Sequence, residues 1–147
     1  MNMEFHLVHT SWQQSMAALN AVRREVFIEE QRVPEALEWD GLDESSHHVL
    51  VTATGKGPVG TGRIKPDGQI GRMAVLKEYR GQGIGSAMLA ALLDIASQKQ
   101  CPEVYLYAQV AAITFYEKHG FTVDSEQFMD AGIPHRRMVK RLVVQGR

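Results

Sequence analysis

An apolar run that ends in three closely spaced glycines and restarts as an amphipathic stretch constrains this chain more than any other feature. Gly71-Arg72-Met73-Ala74-Val75-Leu76 reads as a strand, and Tyr79-Arg80-Gly81-Gln82-Gly83-Ile84-Gly85-Ser86 follows it. Apolar residues then recur at Ile84, Ala87, Met88, Ala91, Leu92 and Ile95, the spacing that lines one helix face. Glycines in the turn between strand and helix permit positive φ and let backbone approach a ligand closely. The unpaired amides of the first helical turn, at the positive end of the helix dipole, are then aimed at that ligand. Such a junction suits a phosphate or pyrophosphate.

The type of phosphate site narrows by spacing. A dinucleotide loop needs Gly-x-Gly-x-x-Gly, but Ser86 or Met88 stands where its third glycine belongs. A P-loop needs Gly-Lys-Ser/Thr, and no lysine follows these glycines. Arg80-Gly81-Gln82-Gly83-Ile84-Gly85 instead fits Arg/Gln-x-x-Gly-x-Gly/Ala and resembles the acyl-CoA pyrophosphate loop of the GNAT superfamily of N-acetyltransferases.

A second segment, in the same order and spacing, strengthens the resemblance. Val104-Tyr105-Leu106-Tyr107-Ala108 reads as a strand, and Ala112-Ile113-Thr114-Phe115-Tyr116-Glu117-Lys118-His119-Gly120-Phe121 as a short helix closed by Gly120 before the next strand. Phe-Tyr-Glu-Lys-x-Gly-Phe is similar to the late helix and following strand of GNAT enzymes. A tyrosine at a helix end also serves commonly as a half-buried residue with its hydroxyl tied off. Further segments, Val26–Pro34, Glu38-Trp39-Asp40-Gly41-Leu42-Asp43, His47-His48 and Gly132-Ile133-Pro134-His135, resemble the ElaA/YjcF-like branch. Together the similarities run over roughly residues 20 to 140.

That resemblance implies a fold, a cosubstrate and a site. The fold is α/β (α+β), with a mixed, mostly antiparallel sheet flanked by helices, as a single domain over residues 1–147. The cosubstrate is acetyl-CoA, without a metal, and the acceptor is a primary amine of a small molecule or peptide. Backbone amides of Met73, Ala74 and Val75 engage pantetheine and the acyl carbonyl, and Arg80, Gly81, Gln82, Gly83, Ile84, Gly85 and Ser86 hold the pyrophosphate. Gln109 stands where relatives often carry Asn, Phe115 adjoins the cofactor, and Tyr116 is the general acid to the departing thiolate. Edge strands in this fold often pair between subunits, which makes a homodimer a partner to consider.

An amine must lose a proton before it attacks, because an alkyl ammonium is almost fully charged at neutral pH. Relatives often carry a glutamate base at the position of Gly71, so no inherited base is present there. Glu29, Glu30, Asp40, Asp43, His47 and His135 remain as substitutes, or a chain of waters serves. The missing glutamate keeps a second reading open, an acyl-CoA-binding sensor with little turnover. A nucleotide-binding interaction domain survives only if the glycine loop is coincidental.

Composition sets outer bounds. A net charge of −1 argues against a dedicated nucleic-acid binder. The pairs Arg23-Arg24 and Arg136-Arg137 read as solvated faces, and the acidic residues from Glu38 to Glu44 as a soluble loop or a lure for a cationic acceptor. One cysteine, Cys101, excludes an intrachain disulfide and suits a cytoplasmic setting. Glu4, His6 and His9 interrupt any leader pattern, and no apolar run approaches the ~20 residues a bilayer requires. Strands are expected at 5–8, 49–53, 59–64, 104–108, 121–124 and 137–144, with a helix capped by Ser11 in Ser-x-x-Gln form.

Overall fold

The computed structural model describes residues 4–143. β1 (Phe5–Thr10), β2 (His47–Ala53), β3 (Gly57–Ile64) and β4 (Ile70–Val75) form an antiparallel sheet in that order. A second sheet has the order β5 (Glu103–Gln109), β8 (Ile133–Arg141), β6 (Thr122–Val123), with β7 (Phe128–Asp130) also paired to β8. The halves meet through one parallel bridge, Gln69 to Tyr105, where the Tyr105 N–H donates to the Gly68 carbonyl at 3.2 Å. Past this point no ladder joins β4 to β5 among the described residues, so the strands part and leave an open seam.

A bulge shapes β4 at that seam. Thr61 pairs with Ala74 and Arg63 with Gly71, so Arg72 and Met73 together oppose the single residue Gly62. Arg72 takes a positive φ of 50°, a conformation uncommon outside glycine and frequent at functional sites.

Helices cover the sheets. Ser11 caps α1 (Trp12–Arg23), its hydroxyl accepting from the Gln14 amide at 3.2 Å. α1 runs directly into a π-helical turn, Arg24–Glu30, closed by the Gln31 N–H on the Val26 carbonyl at 3.0 Å. α2 (Glu35–Glu38) follows Pro34. α3 (Ile84–Gln98) buries Ile84, Met88, Leu89, Leu92 and Ile95 in the core shared with β2, β3 and β4. A Cβ on Gly62 of β3 would lie 3.0 Å from the Leu92 side chain, so glycine lets helix and sheet approach this closely. Truncating Leu92, fully buried, to alanine would cost about 2–5 kcal/mol. α4 (Ile113–Lys118) follows β5 after a short 3-10 turn.

Several local expectations shift. Ala87 is exposed and Leu89 takes a place in the buried stripe, because the helix face against the sheet is rotated toward Leu89. β1 continues to Thr10 through its ladder with β2. β8 begins at Ile133 and ends at Arg141, because its start pairs with the three-residue β7, too short to leave a periodic signal; position 144 of the expected strand lies outside the described residues. Arg24 is exposed and paired with Glu35, but Arg23 is fully buried rather than solvated.

Candidate active site

The seam between β4 and β5 opens into a cavity of about 240 Å³. Gly71, Arg72 and Met73 of β4 form one wall, and Leu106, Tyr107 and Gln109 of β5 another. Tyr116 of α4 reaches it, as do Phe27 and Gln31 from the π-helical segment and His135 from β8. A Cβ on Gly71 would meet nothing within 4 Å, so the missing side chain there enlarges the open space.

On β4 the peptide groups divide by alternation. The Leu76 N–H donates to the Val59 carbonyl on β3 at 2.9 Å, so the peptide of Ala74, two residues back, also faces β3. Those of Met73 and Val75 face the open side of the strand. The cleft-side Val75 carbonyl already accepts from Arg80 Nε at 2.8 Å. Glu30 of the π-helical turn holds the same guanidinium with two bonds of 2.6 and 2.8 Å.

Beyond β4, Gly83 caps α3 with φ 86°, a left-handed conformation that a side chain would strain. No side chain caps this terminus and its first turn holds no acidic residue, so its amides stay uncompensated and favour an anion. Gly81 and Gln82 are exposed beside it, Ile84 is buried, and Ser86 Oγ lies 3.1 Å from His119 Nε2 on the neighbouring segment. Gly85 has another role: its Cβ would sit 3.4 Å from the Phe115 ring, which packs over the start of α3.

Tyr116 stands edge-on between Phe115 and Phe121, and its hydroxyl meets Met73 Sδ at 3.8 Å. Burial pushes its phenol up to about 12, so the proton is firmly held at neutral pH. Gln109 and Gln31 exchange amide hydrogen bonds of 2.9 and 3.5 Å across the cavity, tying β5 to the π-helical segment.

Behind the cavity lies a buried ion network, in which Arg23 and the acids Glu38 and Asp43 are buried rather than on a solvated face and a soluble loop. Arg23 donates to Glu38 Oε2 at 3.0 Å and to Asp43 Oδ1 at 2.8 Å, between the Trp12 and Trp39 rings at 5.4 and 5.1 Å. Arg63 forks onto Asp40 at 3.0 and 2.8 Å and reaches Asp43 at 3.0 Å. Arg72 joins Glu38 at 3.1 Å and Asp40 at 3.3 Å. Burial alone would raise Asp40 and Asp43, but Arg63 at Asp40 and Arg23 at Asp43 outweigh it and hold both carboxyls below the usual range. Glu38, deeper and nearer the cavity, is pushed up by burial despite its arginines. Charges taken out of water in this way stand only when paired, so the cluster braces the loop from Glu38 to Asp43 against β3 and β4.

Three walls of the cavity, His135 apart, are formed by residues that local sequence pattern does not mark as a site. Phe27 sits in the π-helical turn and Gln31 at its end, with Val33 in the connection and Leu37 in the four-residue α2, a stretch whose geometry no periodicity signals. Arg72 reaches the cavity through the bulge, and the hairpin of β7 and β8 brings Asp130, Ile133 and His135. The Gly-Ile-Pro-His segment was the one visible trace of that hairpin. Of the other candidate bases, Glu29 is exposed and does not line the cavity, Asp40 and Asp43 are committed to arginines, Glu30 is bound to Arg80, and His47 pairs with His9 at 2.9 Å.

The architecture and sequence have clear relatives. A family model for the acetyltransferase (GNAT) domain matches residues 9–142. YjcF of Bacillus subtilis (strain 168), an uncharacterized N-acetyltransferase, is 43% identical over 123 residues, covering 81% of this chain and 87% of the relative. The structure of Escherichia coli ElaA superposes with a TM-score of 0.81 at 28% identity, covering 94% of this chain and 99% of ElaA. An acyl-CoA N-acyltransferase from Pseudomonas aeruginosa gives a TM-score of 0.80 at 29% identity, over 95% of this chain and 99% of its own. Matched over nearly its whole length, the chain belongs to the GNAT family of N-acetyltransferases.

Proposed function

We propose that the protein transfers an acetyl group from acetyl-CoA to a primary amine of a small molecule or peptide, by direct attack of the amine on the thioester. When bound, acetyl-CoA supplies the activated acyl carbon. The residues present suit it: an uncapped helix terminus behind a glycine turn for the phosphates, and an unpaired strand edge for the pantetheine arm. Arg80, Gly81, Gln82, Gly83, Ile84, Gly85 and Ser86 hold the pyrophosphate end. Met73 and Val75 offer peptide groups along the seam, Ala74 fixes that strand to β3, and Gln109 and Phe115 border the arm. Tyr116 protonates the departing sulfur.

The observation that carries this reading is the convergence of three features on one cavity. The open β4 edge, the Tyr116 hydroxyl and the space beside Gly71 all meet there. A protonated phenol in a desolvated pocket keeps its proton until negative charge develops beside it, as a general acid must. A cavity of about 240 Å³ admits an amine-bearing head group rather than a whole folded partner. Among the described residues no helix is long and apolar enough to cross a membrane, and the lone cysteine agrees with a cytoplasmic enzyme.

The test is thiol release from acetyl-CoA across a panel of alkyl amines, polyamines, amino sugars and peptides, with calorimetric titration of CoA alongside. Amine-dependent release supports the transferase reading and identifies the acceptor class. Tight CoA binding with no release for any amine favours a sensor, and failure to bind CoA overturns the proposal.

A further inference from the structure

We propose that His135 is the base that takes the acceptor's proton, an assignment that rests on the transferase reading above. His135 pairs with Gln109 across the β5–β8 ladder, and directly opposed residues project from the same face of a sheet. Both line the cavity that Tyr116, Gly71 and Met73 share. The imidazole is held rather than loose: the residue is 8% exposed and its ring stacks on Phe128 at 5.9 Å and 23°.

Its tautomer follows from one contact. Nδ1 lies 2.7 Å from the Ile133 carbonyl, which can only accept, so Nδ1 carries the hydrogen. In the neutral ring the lone pair then falls on Nε2, which has no hydrogen-bond partner among the described residues. This is the arrangement of a positioned histidine base, one nitrogen anchored and the other available.

Its competitors in the cavity are engaged or unsuited. Glu38 of α2 is already bound by Arg23 and Arg72. Arg72 of β4 is a cation, and Tyr107 of β5 and Tyr116 of α4 are phenols. Asp130 of β7 lies exposed at the tip of the hairpin, where its charge can draw an ammonium inward. Gly71 has no side chain to offer.

Nε2 takes one proton from the ammonium, and the freed lone pair forms the C–N bond at the acyl carbon. The C–S bond breaks with its electron pair on sulfur, which takes the Tyr116 proton. The nitrogen sheds its second proton to the tyrosinate, and the imidazolium returns its proton to solvent.

The experiment compares the protein with its His135→Asn variant. Asparagine places an amide nitrogen where Nδ1 was, keeping the anchor to Ile133 while deleting Nε2. With the amine turned over fastest in the panel, kcat/KM of His135→Asn should fall about 10²–10³-fold near neutrality. The deficit should shrink as pH rises and solution supplies neutral amine, while acetyl-CoA affinity by calorimetry stays within about threefold. A purely structural role would instead lower rate equally at every pH. A profile parallel to wild type, or a rate within about threefold of it, overturns the assignment. Long-range proton–nitrogen NMR on the wild-type protein provides a readout that needs no acceptor. It should show hydrogen on Nδ1 and a bare Nε2, and the opposite tautomer overturns the proposal. Loss of acetyl-CoA binding by the wild-type protein would strike the transferase reading instead.

Discussion

Replacing Tyr116 by phenylalanine separates chemistry from folding with little ambiguity. The hydroxyl's partner in the fold is Met73 Sδ at 3.8 Å, a weak acceptor at long range. The ring contacts with Phe115 and Phe121 survive in phenylalanine. Removing the oxygen should therefore change stability by less than about 1 kcal/mol, the scale of an ordinary net hydrogen bond. Loss of a positioned proton donor costs about 10²–10⁴ in rate, or roughly 3–5 kcal/mol of barrier. These scales differ enough to be told apart in one set of measurements: thiol release at saturating acceptor, acetyl-CoA binding by calorimetry, and thermal midpoint. Turnover should collapse while affinity and midpoint hold. A variant turning over within about threefold of wild type would remove Tyr116 from the acid role. If affinity falls as far as turnover, the hydroxyl acts in binding and not in proton transfer.

Other perturbations probe the rest of the site. Arg23→Met strips one arginine from Glu38 and Asp43, but each keeps another, Arg72 and Arg63 respectively. The loss should thus sit near the low end for a broken buried pair, about 3 kcal/mol, with chemical denaturation as the assay; a change below about 1 kcal/mol would mean the cluster braces nothing. Gly83→Val must abandon φ 86° or bear roughly 1–2 kcal/mol of strain. Either way the α3 amides turn from their present direction, and acetyl-CoA affinity should drop about tenfold or more, whereas unchanged affinity would detach the loop from the cofactor. Because Tyr116 is raised in the fold, its contribution to stability is whole below about pH 10 and lost as pH climbs towards about 12. The stability of Tyr116→Phe relative to wild type should rise across that window in denaturant titrations, and parallel curves would refute the assigned burial effect.

How far the sequence announced this molecule depends on the range of the interaction involved. The glycine turn and the amphipathic stretch after it are local, so α3 and its open N-terminus were legible in a dozen residues. So was the Ser11 cap, which needs only the residue three places on. Arg23 was misread as a solvated neighbour of Arg24 because its partners, Glu38, Asp43 and two tryptophans, come together only through the tertiary fold. Arg72 likewise looked like an ordinary strand residue, since a bulge is a property of two paired strands and not of one. The π-helical turn leaves no period to detect, and β7, with three residues, acquires strand character only by pairing with β8. His135 stood among six unplaced bases until the ladder set it opposite Gln109. Residue types carried the chemistry, and long-range pairing supplied the geometry.

The most direct measurement is the transfer of radiolabelled acetyl from acetyl-CoA to a primary amine, followed beside the release of free thiol. The account predicts label in an amide on the amine, in amounts equal to the thiol released, and loss of both in Tyr116→Phe. Label that stays in the thioester with every amine, though the protein binds acetyl-CoA, would contradict it and leave a binding protein in place of an enzyme.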